Sequence, residues 1–343
     1  MEHTTIAVDL AKSVFQVAIS HRPGHVDEER RLSREHFLTF FAQQPPATIV
    51  LEACGSAHYW ARQLQTFGHT VRLLPAHDVR RYVRRNKTDR TDTKGMLEAN
   101  RNDEIHPVPV KSTAQQAIAS LHRLRSTWLA TRTARLNTLR GLLREFGVFL
   151  PEGASRVVPG VHAFLAGADE AVSSALRGTL TDACTEIEEL ETNMEGVERQ
   201  LTALARQLPD VKRLQTVPGV GLLTATALVA LVGDIRRFRS GRHFASFLGL
   251  TPKEHSSGDR RHLGAISKQG DVYVRMLLTH GARSVLRHGH TTATPTPLQR
   301  WGLHTEQRRG HNVATVAVAN KLARMVWAVW LHQQPYAAEH RPR

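Results

Sequence analysis

Thr5-Ile6-Ala7-Val8-Asp9-Leu10 and Val14-Phe15-Gln16-Val17-Ala18-Ile19 are two β-rich runs separated only by Ala11-Lys12-Ser13. Runs of this composition at hairpin separation predict paired antiparallel strands. Working outward, Arg30 to Ser33 predicts a third strand and about Arg34 to Gln43 a helix stopped before Pro45-Pro46. Thr48-Ile49-Val50-Leu51 reads as a short buried strand, about Ala57 to Phe67 as a helix closed by Gly68, and Thr70 to Leu74 as a strand before Pro75. The order β-β-β-α-β-α-β-α predicts a mixed sheet flanked by helices over residues 1–109.

The texture changes near Thr113. Leu121, Leu124, Trp128, Leu136, Leu139, Leu143 and Phe146 recur at helical spacing, and Leu190, Met194, Val197, Leu201, Leu204 and Leu208 alternate by fours and threes. That alternation predicts a coiled-coil seam. The first run is studded with arginine (Arg123, Arg125, Arg132, Arg135, Arg140, Arg144), the second with glutamate (Glu186, Glu188, Glu189, Glu191, Glu195, Glu198). Opposite charge on two long helices predicts that they pair, within one chain or between subunits. Residues 110–208 therefore read as a helical arm. Residues 209–343 form a third, mainly helical region, opened by Pro209 and by Val217-Pro218-Gly219-Val220-Gly221 ahead of a small-residue helix. This segment reads as a helix-hairpin-helix turn in which Gly219 and Gly221 let the backbone approach phosphate oxygens. The fold class is thus α/β followed by all-α.

The formal charge is +15 over 343 residues, and residues 236–343 supply +13 of it, with 18 Lys and Arg against 5 Asp and Glu. Such an uneven field attracts polyanions, nucleic acid first among them. No signal segment is visible, the apolar stretch from Val313 to Leu331 is broken by Lys321 and Arg324, and Cys54 and Cys184 stand far apart. No membrane association, a reduced cytoplasmic location and neither a disulfide framework nor a zinc ribbon are expected. His288, His290, His304 and His311 lack metal-ligand spacing and read as exposed or phosphate-contacting side chains.

Four acids stand out by position. Asp9 closes the first β-rich run, Glu52 follows the fourth strand, and Asp89 and Asp92, three residues apart, share a helix face. Carboxylates converging from strand ends and a helix repel one another unless a cation lies between them, and oxygen-only ligands select Mg²⁺ or Mn²⁺. The bland reading of Asp89 or Asp92 taken singly is a surface ion pair with Arg85, Arg90 or Lys94. Asp27, Glu28, Glu29 and Asp78 read as surface charges.

Asp9-Leu10-Ala11-Lys12, Glu52-Ala53-Cys54-Gly55 and Lys87-Thr88-Asp89-Arg90-Thr91-Asp92 resemble the three blocks of the DEDD insertion-sequence transposases. Gly249-Leu250-Thr251-Pro252, Ser257-Gly258 and Ser267-Lys268-Gln269-Gly270 match the C-terminal blocks of that family, so the resemblance spans essentially the whole chain. It implies an RNase H/RuvC-like N-terminal domain holding Mg²⁺ or Mn²⁺ on Asp9, Glu52, Asp89 and Asp92. It also implies that the serine directly before the glycine, Ser257, is the nucleophile on DNA. On the residues alone Ser256 is an equal candidate, and Ser256-Ser257-Gly258 could be only a flexible loop.

A serine hydroxyl needs a base, a metal or a positive field, and Arg260, Arg261 and Lys268 supply the field as nucleic-acid contacts. The resemblance further implies donor and target DNA as substrates, an element-encoded noncoding guide RNA that takes over sequence choice, and a homo-oligomer, dimer or tetramer. With 6% aromatic residues the composition suits phosphate contact better than base stacking. Two other readings remain open: a metal-dependent junction nuclease without a covalent intermediate, and a non-catalytic nucleic-acid-binding protein.

Overall fold

In the computed structural model, which describes residues 4–83, 88–167 and 172–337, the opening hairpin forms as its spacing predicts. β1 (Thr5–Asp9) and β2 (Val14–Ser20) pair antiparallel, with Val8 opposite Val17 and Asp9 opposite Gln16. β3 (Glu28–Ser33) extends the hairpin, while β4 (Thr48–Glu52) and β5 (Thr70–Leu74) run parallel to β1, giving the order β3-β2-β1-β4-β5. Parallel neighbours need crossovers. These carry α1 (Phe37–Ala42) and α2 (Ala57–Thr66), which cover one sheet face through Phe37, Phe41, Trp60 and Leu64 packed on Ile6, Val8, Phe15 and Leu51. After α3 (Ala76–Val79), α4 (Asp89–Asn100) covers the other face, with Met96, Leu97 and Ala99 on Ala7, Ala18 and Val50. With both faces buried, β1 and β4 read as apolar runs rather than as alternating ones.

Helix α1 begins three residues later than the spacing predicts. Arg34 is held instead by the hairpin: its backbone N–H donates to the Ser13 carbonyl and its guanidinium to that of Lys12, lying 5.2 Å over the Trp60 ring.

The chain divides into two units, Met1–Ala114 and Gln115–Arg343. The second is built on α5 (Thr113–Glu145), α6 (Val157–Gly167) and α7 (Ser174–Arg206). The long pair is antiparallel and cross-linked within one chain by Arg125–Glu198 at 2.6 Å, Arg132–Glu191 and Arg135–Glu186 at 2.7 Å. Leu180, Cys184, Ile187, Met194, Val197 and Leu201 make the buried edge of α7, so it reaches further towards the helix start than Leu190–Leu208 suggested, and Leu190 and Leu204 lie only half-buried.

Next come α8 (Pro209–Leu214), α9 (Leu222–Val232), α10 (Gly241–Phe247), a ribbon of β6 (Pro252–Glu254) and β7 (Leu263–Ile266), then α11 (Val272–Thr291), α12 (Pro297–Arg309) and α13 (His311–His332). Leu228, Phe244, Leu278, Leu322 and Val326 centre their core. Ile118, Val197 and Leu201 pack with Ala230, which ties the long helices to that region. Trp330 is buried there, its indole N–H donating to Asp210 at 2.9 Å, and that of Trp327 donates to the Phe238 carbonyl. No helix among the described residues is long and apolar enough to cross a membrane.

Candidate active site

Asp9 and Glu52 are the last residues of β1 and β4, neighbouring parallel strands in which Val8 lies opposite Leu51. Side chains alternate along a strand. Asp9 therefore shares the face of Ala7, and Glu52 that of Val50, and this is the face covered by α4. The first turn of α4 carries Asp89 and Asp92, where the helix dipole favours negative charge. Thr88 fixes that start through a capping box with Thr91. Asp92 is buried on the same side of the helix as Met96 and Ala99, and Asp89, one turn earlier, is exposed. At the opposite end of α4, Arg101 lies beside Gly24 in the β2–β3 turn, which adjoins the Thr5 end of β1. Helix α4 therefore starts at the Asp9 and Glu52 end of the sheet.

Two of the bases near Asp89 and Asp92, Arg90 and Lys94, bond Glu29. Arg90 Nε donates to Glu29 Oε1 at 2.8 Å and Lys94 Nζ lies 3.7 Å from the same carboxylate. Arg85 and Lys87 lie outside the described residues. Glu29, which reads from sequence as a surface charge, thus holds α4 against β3. No sequence signal marks it, because its partners are 61 and 65 positions away.

As a donor set these acids suit a hard divalent cation, being carboxylate oxygens only. Asp9, Glu52 and Asp92 share one face at one end of the sheet, which agrees with that chemistry. Among the described residues, however, no three His, Cys, Asp or Glu side chains are gathered closely enough to hold a metal ion. The fit is thus one of donor type and of face.

The C-terminal serines lie on the β6–β7 ribbon, which the sequence does not announce. Its strands are short and exposed, carry Pro252 and Lys253, and lack alternating apolar residues. Beyond the strands His255 pairs with His262 and Ser257 with Arg260, leaving Gly258-Asp259 as a two-residue turn. Gly258 has φ +55°, as a type II′ hairpin turn requires at its first central position.

The two hydroxyls differ. Ser256 Oγ donates to Glu254 Oε1 at 2.7 Å and accepts from the His262 N–H at 3.2 Å. Ser257 is exposed, and its hydroxyl has no hydrogen-bond partner among the described residues. Arg260, directly opposite Ser257, has no ion-pair partner among them either, while Arg261 Nε donates to Glu254 at 3.2 Å. Lys268 adopts φ +56° in a loop locked to Gly249, where its N–H donates to the Gly249 carbonyl at 3.1 Å.

Of the two glycines before α9, Gly219 has φ +79°, and a Cβ there would sit 2.6 Å from the Gly281 carbonyl oxygen, so packing on α11 alone demands glycine. Gly221 faces open space at the start of α9 and forms, with Gln215, Pro218 and Ser284, part of an open groove. His290 and His311 both bond Glu306, at 2.9 and 2.7 Å, and hold its carboxyl below the usual range.

Comparison with known proteins shows the family of the chain. Residues 6–148 match a family model of the DEDD type described as Transposase, and residues 211–296 match Transposase IS116/IS110/IS902 family. The chain is 42% identical to a "Probable family 20 transposase" of Pseudomonas aeruginosa, covering 98% of this chain and 99% of that one. It is 36% identical to "Transposase for insertion sequence element IS1111A" of Coxiella burnetii, over 96% of this chain and 90% of the other. A shorter stretch, 36% of this chain and 37% of the relative, is 30% identical to a "Pilin gene-inverting protein" of Moraxella lacunata. With a DEDD-type match over the first unit and full-length likeness to insertion-sequence enzymes, this chain belongs to the IS110-type transposase family.

Proposed function

We propose that this chain cuts and rejoins donor and target DNA through a covalent bond to Ser257. The first unit acts as an RNase H/RuvC-like domain whose Asp9, Glu52, Asp89 and Asp92 bind Mg²⁺ or Mn²⁺. The observation that carries this reading is the contrast between the two serines: Ser256 is tied into the ribbon, whereas Ser257 presents a free hydroxyl beside Arg260 at its tip.

In the step proposed, Ser257 Oγ attacks phosphorus and loses its proton, the phosphodiester P–O bond breaks, and the leaving strand departs as a hydroxyl that takes up a proton. Attack by another strand's hydroxyl reverses the step and frees the serine, so the bond energy is conserved and no nucleotide cofactor is needed. Arg260 neutralises charge on the non-bridging oxygens. A divalent ion, when bound by the four acids of the first unit, would supply charge neutralisation at a DNA phosphate. Gly221 and the groove beside it accept backbone phosphates, Arg261 and Lys268 add positive field, and an element-encoded noncoding RNA selects the sites by pairing. A dimer or tetramer handles the several DNA ends.

The test is a denaturant-resistant protein–DNA adduct, sought with guide RNA, labelled donor and target DNA and Mg²⁺. The adduct is expected with wild type and Ser256→Ala and absent with Ser257→Ala and Asp9→Ala. Cleavage without any adduct, indifferent to both serine changes, would make the chain a hydrolytic junction nuclease and overturn this reading.

A further inference from the structure

The register of the ribbon sorts its side chains onto two faces. Cross-strand partners share a face, and so do residues two apart. His255 opposite His262 and Ser257 opposite Arg260 therefore put those four residues on one face. Glu254 and Ser256 lie on the other, with Arg261 opposite Ser256. The hydrogen bonds agree with this division: Glu254 Oε1 accepts from Ser256 Oγ at 2.7 Å and from Arg261 Nε at 3.2 Å. Ser256 Oγ in turn accepts the His262 N–H from the opposite strand at 3.2 Å. Ser256 and Arg261 together hold the Glu254 carboxyl below its ordinary range, so it is ionised and an acceptor at neutral pH.

We infer that Glu254 is a positioning residue for Ser257, acting through Ser256 and Arg261 on the back of the ribbon; the inference rests on Ser257 being the nucleophile. The strands β6 and β7 have three and four residues, all exposed except the half-buried Ile266. A two-stranded ribbon of that kind is marginal by itself. Its base is fastened by the Ser267 N–H donating to the Thr251 carbonyl and the Lys268 N–H to that of Gly249. Nearer the tip, the Glu254–Ser256–Arg261 lock is what joins the strands by side chains. It engages one hydroxyl of the Ser-Ser pair and so leaves the other to the substrate. A nucleophile displaced by about 1 Å loses on the order of a hundredfold in rate, so the lock acts on the chemical step and not on DNA affinity.

The experiment measures the single-turnover rate of adduct formation at saturating DNA, together with DNA affinity, in the full-length protein with guide RNA. The variants are Glu254→Ala, Glu254→Gln, Ser256→Ala and Ser257→Ala. Loss of the lock should slow Glu254→Ala by roughly ten- to a hundredfold and Ser256→Ala by less, with affinity and melting temperature unchanged. Glu254→Gln keeps an oxygen that accepts both bonds and should recover most of the rate. If Ser257→Ala is dead while Glu254→Ala reacts at the wild-type rate, the positioning role is wrong and the nucleophile stands. If Glu254→Ala is slow only because DNA binds weakly, or Glu254→Gln is as slow as alanine, the lock is likewise refuted. An adduct in Ser257→Ala would remove the nucleophile itself and this inference with it.

Discussion

Gly249 offers a sharp test of how the ribbon is founded. Its φ is +70°, and an added Cβ would lie 2.0 Å from the Gln269 carbonyl oxygen and 2.7 Å from the Gln269 nitrogen. Both are backbone atoms, so no side chain can swing away. Gly270 answers from the other loop, where a Cβ would meet the Phe247 carbonyl oxygen at 2.1 Å. For Gly249→Ala the left-handed backbone costs about 1–2 kcal/mol, and forcing the two loops apart costs about 1–3 kcal/mol more. The total, about 2–5 kcal/mol, corresponds to a fall in melting temperature of roughly 4–20 °C for a unit of this size. Gly258 is the built-in control: its φ is +55°, but a Cβ there meets nothing within 4 Å. Gly258→Ala therefore carries only the left-handed term, about 1–2 kcal/mol, and should lower the midpoint by less than Gly249→Ala does. Thermal melts of both variants followed by circular dichroism give the comparison. Equal midpoints for the two, or a Gly249→Ala midpoint at the wild-type value, would refute the interlocked-loop account.

His122 is buried between Thr226 and Tyr273, at 2.9 and 3.1 Å, and desolvation, with a smaller contribution from Arg125, lowers its pKa from 6.5 to about 4. The unfolded chain therefore takes up the proton first, so stability is full above pH 6.5 and falls as the pH drops towards 4, by up to about 3 kcal/mol. Urea melts at pH 7.5 and 4.5 should show this loss, and His122→Gln should shrink it; an unchanged loss in that variant would refute the assignment. Arg132 and Glu191 are partly exposed, so an alanine double-mutant cycle should give a coupling of only about 0.5–1 kcal/mol, reduced in 1 M salt; zero coupling at low salt would mean that the pair does not cross-link the helices. Leu201 is fully buried, and Leu201→Ala should cost about 2–5 kcal/mol in denaturant unfolding. Arg260→Ala should lower the salt dependence of DNA binding by about one counterion, seen as the slope of log K against log salt, and an unchanged slope would remove Arg260 from the phosphate contacts.

The first unit was readable because each of its strands is bounded by a turn and carries β-branched or apolar residues. Asp9 and Glu52 were readable because each closes such a run. The ordering of α4 was less so: Asp89 and Asp92 mark its start, but Glu29 joins it only through space. Opposite charge predicted the pairing of the long helices, and the geometry answers what spacing left open, since the partners belong to one chain. The ribbon escaped because nothing in it is buried, and periodicity records only burial. Helix α12 carries its own start signal, Thr296 with Gln299 and Pro297, yet its polar composition hides the period. The preference for Ser257 over Ser256 needed the resemblance, because what separates the two hydroxyls is the carboxylate of Glu254, two residues back on a strand that the spacing does not reveal.

The cross-links between α5 and α7 are spaced like marks on a ruler. Arg125 and Arg132 are seven residues apart, and so are Glu198 and Glu191 on the returning helix. Removing residues 126–132 together with 191–197 would bring Arg125 and Glu198 into the places of the pair lost, with the buried edges still in step. The excursion would shorten by about 10 Å at 1.5 Å per residue. Length in this part of the molecule can thus change in whole heptads without redesign of either end, whereas a deletion from one helix alone would put every later cross-link out of register.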